Sequence, residues 1–313
     1  MKTSELDYEL PPELIAQRPL DRRDDSRLLV YERAGGEVRH RRFRDLPVEL
    51  PAGALVVVND TRVLPARLRL SRPGGGAAEV LLLEPLGGGV WEALARPSRR
   101  LRPGMRLGPV EIVEPLGGGR WRVQLEGEPA GEAPLPPYIR GPLADPDRYQ
   151  TVYADEAGSA AAPTAGLHFT PDLLGGLEVE RVTLHVGLDT FRPVTAETLG
   201  EHGIASERYH VAPESWERIA RADIVVAVGT TTVRVLETLA RGGALEGRTS
   251  LFVTPGFEFL RTDALVTNFH LPRSTLLALV MAFAGVEETR RLYRIAIEER
   301  YRFYSFGDAM LIR

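Results

Sequence analysis

Apolar residues follow two rhythms along the chain, and the change between them marks a boundary. Near the N-terminus, a short helix is expected after Pro11 and Pro12. LLVYER (28–33), a Gly-Gly turn and EVRHRRF (37–43) then predict a β-hairpin. The run ALVVV (54–58) is apolar without interruption, which predicts a strand buried on both faces. Beyond Thr170, strands and helices alternate. VERVTLHV (179–186) alternates apolar and polar positions up to Gly187, and IVVAV (224–228) is a second buried strand preceded by a helix over 213–222. After Gly229-Thr230-Thr231-Thr232 comes a helix whose Val233, Leu236 and Leu239 share a face and whose C-cap is glycine. Short strands over 251–253 and 265–267, an apolar helix over 274–284, an amphipathic helix over 287–300 and a strand at the C-terminal end complete the series. Such alternation predicts an α/β sheet.

Between about Arg67 and Arg148 the texture changes to short strands separated by Gly and Pro. EPLGGG recurs at 84–89 and 114–119, each time followed by a tryptophan, Trp91 or Trp121. Two copies are too few for a solenoid and predict two similar hairpins of a small barrel. PLPPYIRGPLADPDRYQ (134–150) reads as a tether back to the first part. The expected fold is therefore α/β: a discontinuous mixed α/β main domain, residues 1–66 and 149–313, with an inserted small all-β barrel domain, residues 67–148.

Composition narrows the function classes. With 313 residues, 43% hydrophobic and 26% charged, the chain has ample material for a folded core. The most apolar stretch, 276–284, is too short to cross a membrane, and the N-terminus shows no apolar signal segment. There is no cysteine, which removes disulfides, thiolate catalysis and zinc–thiolate sites. A cytoplasmic location and no membrane partner are expected. The net charge of −4 argues against a basic footprint over the whole surface. Lys2 is the only lysine, and arginines cluster at 39–44, 62–72 and 96–106, where their forks suit phosphate and stacked bases.

Candidate chemistry concentrates at expected strand ends. YQTVYADEAGSAAAPTAGLHFT (149–170) combines Asp155 and Glu156, a run of small residues and His168, just before a helix start with Thr170 as N-cap and Pro171 in the first turn. The competing reading is a flexible Ala/Gly connector with an exposed histidine. Asn59-Asp60-Thr61-Arg62 follows a buried strand, the place where open α/β sheets put ligands, although Asn and Asp also favour plain turns. His270 repeats the setting of His168. The six histidines include no HExxH and no helical i,i+4 pair, so no metal is expected. Gly229 to Thr232 could cradle phosphate, but the Walker lysine is missing. If residues 59–62, 168, 185–187, 254–256 and 268–270 share one sheet edge, they form a pocket.

VNDTRVLPARL (58–68), PTAGLHFT (163–170), TLHVGLDTFRPV (183–194), AVGTTTVRVLE (227–237), TPGFEF (254–259), TNFHLPRSTLL (267–277) and YRFYSFGDAML (301–311) appear in this order along nearly the whole chain. With these segments the chain resembles the S-adenosylmethionine:tRNA ribosyltransferase-isomerases of queuosine biosynthesis, departing from the usual family pattern at Asp189 and Ala205. The resemblance implies transfer and isomerisation of the ribosyl part of S-adenosylmethionine onto 7-aminomethyl-7-deazaguanine at the wobble position of tRNA, giving epoxyqueuosine, adenine and methionine. It also implies S-adenosylmethionine as co-substrate, a tRNA anticodon loop as partner and no metal or tightly bound cofactor. We expect a monomer.

Chemistry of this kind needs a proton-transfer group, a carboxylate near the sulfonium and polar groups for the methionine. The expected catalytic residues are His168, then His270, with Asp60 or Glu207 as the carboxylate. Arg62 or Arg192 would hold the methionine carboxylate or a phosphate. Asn59, Arg67, Phe169, His185, Thr230 and Asn268 complete the expected substrate-binding set. Phe169, Phe191, Phe257 and Tyr304 are candidates for stacking on the splayed wobble base. Arg99, Arg100 and Arg102 of the insert would contact the RNA backbone. The alternative is a non-catalytic RNA-binding or ribosome-associated module.

Overall fold

A computed structural model describes residues 1–187 and 193–313; Asp189, Phe191 and Arg192 lie outside the described residues. The first strands are β1 (Arg27–Tyr31), β2 (Val38–Arg42), β3 (Leu55–Asn59), β4 (Thr61–Val63), β5 (Arg67–Ser71), β6 (Ala77–Gly87), β7 (Val90–Arg96), β8 (Arg106–Leu107) and β9 (Val110–Gly117). They are followed by β10 (Arg120–Leu125), β11 (Glu156–Ser159), β12 (Val179–Leu184), β13 (Glu207–His210), β14 (Val225–Val228), β15 (Glu246–Thr249), β16 (Ala264–Asn268) and β17 (Ala309–Ile312). The helices are α1 (Leu46–Glu49), α2 (Pro171–Gly175), α3 (Pro213–Arg221), α4 (Thr230–Ala240), α5 (Thr275–Ala284) and α6 (Val286–Glu298).

The apolar run at 55–58 is a central strand. β3 is buried at every position and lies between β12 and β14, parallel to both. The large sheet runs β15-β13-β12-β3-β14-β16-β17-β1-β2 and is mixed, because β17 enters antiparallel to β16. Alternation along β3 sends Val57 to one side, into a core with Leu184, Leu236 and Leu277, and Val56 and Val58 to the other, with Phe43 and Phe169. Each buried valine contributes on the order of 2 kcal/mol by removal from water. This accounts for the absence of polar positions in that stretch.

Strands β5 to β10 form a second, antiparallel, barrel-like sheet of six strands with its own core around Leu82, Val123 and Trp121. The echoed sequence is an echoed turn. Gly87, Gly88 and Gly89 close the β6–β7 hairpin with φ of 93°, 60° and 76°, and Gly117, Gly118 and Gly119 close β9–β10 with 86°, 59° and 82°. Three consecutive left-handed residues require glycine, hence the repeated GGG. In the proline-rich stretch, Ile139 and Tyr149 pack with Val63, Leu167 and Phe306 on the main sheet's side.

One expected element differs. Residues 251–253 are not a strand; β15 lies just before them and pairs with β13. Thr249 Oγ1 accepts from the Leu251 N–H, and Arg234 donates to the Thr249 and Leu251 carbonyls, so side chains claim the groups that a ladder would use.

Candidate functional site

Strands β12, β3, β14 and β16 are mutually parallel, so their carboxyl ends share one edge. Open sheets of this type bind ligands there. The residues following the four strands are those with candidate chemistry: His185, Asp60, Gly229-Thr230 and Phe269-His270. Above the β12–β14 part of this edge lies a cleft of about 760 Å³, roofed by Glu84, Glu92 and Arg120 of the barrel-like sheet.

Asn59, expected to bind substrate, does not line the cleft but braces the edge beside it. It is fully buried; its Oδ1 accepts from the Leu184 N–H (3.0 Å) and Thr61 N–H (3.2 Å), while its Nδ2 donates to the Leu184 carbonyl (3.0 Å) and Thr231 Oγ1 (3.2 Å). Every polar atom of its amide is satisfied, which locks β3, β12 and the first turn of α4 together. His185 lines the cleft with Nδ1 2.9 Å from Thr61 Oγ1. Gly158 makes room for this ring, since a Cβ there would sit 2.7 Å from His185 Cε1. Burial and then the Arg208 guanidinium push the imidazole down to about 4, with Glu84 opposing. The ring is neutral at physiological pH.

Glu207 and Arg234 form a buried ion pair in the cleft wall. Glu207 Oε1 also accepts from the Gly187 N–H at 2.7 Å, and Arg234 donates to the carbonyls of Leu251 (3.0 Å) and Thr249 (3.1 Å). One guanidinium thus joins α4, β13 and the segment after β15. Across the cleft Arg248 reaches Glu84 and also donates to the Ser206 carbonyl at 2.8 Å, tying the barrel-like sheet to the large one. Arg120 pairs with Glu92 at 2.9 Å. The cleft therefore combines a neutral imidazole, carboxylates, guanidinium groups and the Thr230 hydroxyl, a set suited to a polar, charged ligand.

Of the expected residues, His185, Glu207 and Thr230 line this cleft. His168 does not. It ends a 3-10 helix (Thr164–His168), is 4% exposed, stacks on Phe43 at 4.8 Å, and has Nδ1 2.7 Å from Ser26 Oγ and Nε2 3.2 Å from Asn268 Oδ1. Burial lowers it to about 4. His270 is also turned inward, with Nε2 2.7 Å from Thr267 Oγ1, and burial lowers it to about 3. Asp60 is buried beneath the edge, accepting from Thr183 Oγ1 at 2.7 Å, and burial raises its carboxyl above the usual range. Phe169 is fully buried, edge-on to Phe43, and Asn268 donates to the Tyr304 carbonyl at 2.8 Å. Arg62 is exposed and donates to the Ala154 carbonyl, and Arg67 begins β5, 4.0 Å from Glu79. Arg99, Arg100 and Arg102 are exposed around a turn of the barrel-like sheet. Phe257 packs under Arg241, and Tyr304 against Tyr138.

Sequence reasoning missed Arg234, Arg208, Arg248, Glu84, Glu92, Arg120 and Gly158. A signal existed for Arg234: a charge between Val233 and Val235 in a helix turn where every residue is buried demands a partner. Among the described residues no group of three or more His, Asp or Glu could hold a metal ion. No described helix is long and apolar enough to cross a membrane.

Comparison with known proteins adds an independent line. The family model described as "Queuosine biosynthesis protein" matches residues 3–312. A protein of Rubrobacter xylanophilus named S-adenosylmethionine:tRNA ribosyltransferase-isomerase is 55% identical, covering 100% of this chain and 98% of its own. One of Moorella thermoacetica with the same name is 52% identical, covering 100% of both. The crystal structure of S-adenosylmethionine tRNA ribosyltransferase from Thermotoga maritima superposes with a TM-score of 0.58 at 39% identity, over 99% of this chain and 100% of that one.

Proposed function

Because the chain belongs to the queuosine biosynthesis protein family, we propose that it is an S-adenosylmethionine:tRNA ribosyltransferase-isomerase that modifies the wobble base of tRNA. The observation that carries this reading is the extent of the match: residues 3–312 include both the sheet edge and the barrel-like roof, so the family relationship covers the whole cleft. The substrates would be S-adenosylmethionine and a tRNA anticodon loop carrying 7-aminomethyl-7-deazaguanine. The products would be epoxyqueuosine in tRNA, adenine and methionine. Such an enzyme works where tRNA is, in the cytoplasm.

The reaction starts by taking a proton from the carbon beside the sulfonium, and adenine later leaves with a proton gained. We assign the transfer to His185, the neutral imidazole facing the cleft. Because burial and Arg208 make it a weak base, a proton accepted there is readily passed on to the departing adenine. Glu207 supplies negative charge at the wall, held in place by Gly187 and Arg234, and Thr230 offers a hydroxyl to the substrate. His168 and His270 act from behind, through Asn268 and Thr267, as positioning residues at the end of β16. We treat residues 67–148 as an inserted unit on the 1–66 and 149–313 body, with Arg99, Arg100 and Arg102 turned to the RNA backbone.

Adenine release from S-adenosylmethionine, followed by chromatography, tests the function. The expected result is release with an anticodon stem-loop bearing the aminomethyl base and none with the same loop bearing guanine. Tight binding of both loops without adenine release would overturn the enzyme in favour of an RNA-binding module.

A further inference from the structure

The same sheet edge carries a second concavity that the cleft chemistry does not use. Asn268 ends β16, Ser26 precedes β1, and Asp308 precedes β17; the pairings Asn268↔Ala309 and Leu28↔Ala309 put all three at the edge where His185 and Thr230 lie. Between them is a pocket of about 20 Å³ lined by Arg23, Arg148, Arg302, Ser26 and His168. By strand spacing it lies on the order of 10–20 Å from the cleft.

The three arginines are half-buried, and their side chains bond to main-chain carbonyls: Arg23 to Leu167 and Asp147, Arg148 to Leu20 and Asp21, and Arg302 to Arg18. Arg302 Nη1 and Arg148 Nε are enclosed and find no acceptor among the described residues. The carboxylates that act on them, Asp145 and Asp147 on Arg23 and Asp308 on Arg302, make no ion pair with them among the described residues. Both oxygens of Asp308 are taken by the N–H groups of Arg27 and Arg302. Burial, then Arg148, lowers the Arg23 guanidinium against Asp145 and Asp147, and burial lowers that of Arg302, with Asp308 opposing and Arg18 adding to the fall. Like charges gathered with no direct ion pair among the described residues, and with enclosed donors unsatisfied, are the electrostatic complement of an anion.

We propose that this pocket is a phosphate site that takes one phosphodiester of the tRNA backbone, gripped by the guanidinium groups of Arg23, Arg148 and Arg302. Its size selects the ligand. A volume near that of one water admits a single phosphate oxygen but no sugar or base, so the rest of the ligand stays outside at the mouth, as it does for a phosphate presented by a chain. Exposed Arg18 stands beside it, and Gln17, next to Arg18, accepts from the Arg140 N–H, which brings Arg140 alongside. RNA whose wobble base enters the cleft would run along this edge, with the pocket fixing its register. The site rests on the tRNA reading for its ligand, but binding tests it independently of turnover.

The experiment is a salt series of anticodon stem-loop binding to the full chain and to Arg148→Gln/Arg302→Gln. Removing these charge-assisted bonds to phosphate should weaken binding about ten-fold or more and lower the log–log salt slope by about 1, with S-adenosylmethionine affinity retained. Arg302→Lys alone keeps the charge and should keep the slope while losing affinity through the missing fork. Inorganic phosphate at constant ionic strength should compete with RNA on the wild type and not on the double variant. Unchanged RNA affinity and slope in the folded double variant, with phosphate binding also unchanged, would overturn the site. Phosphate binding abolished in the double variant, with RNA binding unaffected, would overturn the RNA assignment in favour of a small phosphate ester. Absence of adenine release by the wild type would sink the transferase reading and leave these binding results standing.

Discussion

Replacing Arg234 with methionine tests whether the cleft wall is held by one guanidinium. The substitution keeps much of the volume but removes the ion pair to Glu207 and the bonds to the Thr249 and Leu251 carbonyls, at a residue only 7% exposed. Removing one partner of a buried pair costs about 3–5 kcal/mol. Glu207 keeps the Gly187 N–H, so the lower end, about 3 kcal/mol, is expected. Urea unfolding read by tryptophan fluorescence measures it; with a transition at unchanged slope, the midpoint should move by about 1–2 M. Because Glu207 and Leu251 line the cleft, the KM for S-adenosylmethionine should rise more than kcat falls. A double variant, Glu207→Gln with Arg234→Met, should recover part of the loss, because the stranded charge is gone. A single variant within about 1 kcal/mol of wild type would refute the argument.

Further outcomes follow from other buried groups. His168 sits at about 4 in the fold against about 6.5 unfolded, so its neutral form favours folding: that stability is complete above about pH 6.5 and is lost as pH falls toward 4, roughly 3 kcal/mol in all. Urea midpoints from pH 7 to 4.5 should fall more steeply for wild type than for His168→Gln; equal slopes would contradict the assignment. Gly158→Ala should lower the melting temperature, because φ there is 153° and the added Cβ would meet the His185 ring, and should cut kcat/KM of the folded enzyme at least ten-fold by displacing that ring; normal kinetics would remove the ring from the mechanism. Glu237, fully buried, accepts from the N–H groups of Leu260, Arg261 and Thr262 and pairs with Arg241; Glu237→Ala should cost about 3 kcal/mol or more by calorimetry and loosen the segment over 258–262, seen as faster amide exchange.

The fold was legible where side chains alone decide the outcome. The unbroken apolar runs at 55–58 and 225–228 are buried strands because no polar group interrupts them, and the doubled GGG marks two hairpin tips because only glycine tolerates three successive left-handed residues. Residues 251–253 misled for the opposite reason. Their apolar character is real, but the backbone groups are claimed by Arg234 and Thr249, contacts that depend on α4 packing nearby and leave no mark in the local sequence.

The site was half legible, and the division has a physical cause. Parallel strands put their following residues on one edge, so reading strand ends found His185, Thr230 and the segments around Asp60 and His270 together. It could not say which of them face outward, because that depends on a half-turn of chain after each strand. His270 is turned inward to Thr267 and Asp60 to Thr183, and His168, reached through the loop before α2, is clamped between Ser26 and Asn268. Among the small residues of 149–170, Gly158 is the one whose lack of a side chain leaves room for a histidine ring, and that ring is His185, 27 residues away in sequence, rather than the nearby His168. The arginine pocket was illegible for the same reason: Arg23, Arg148 and Arg302 come from three distant segments, none of them a cluster, and only the meeting of β16, β17 and β1 turns three ordinary arginines into one concentration of charge.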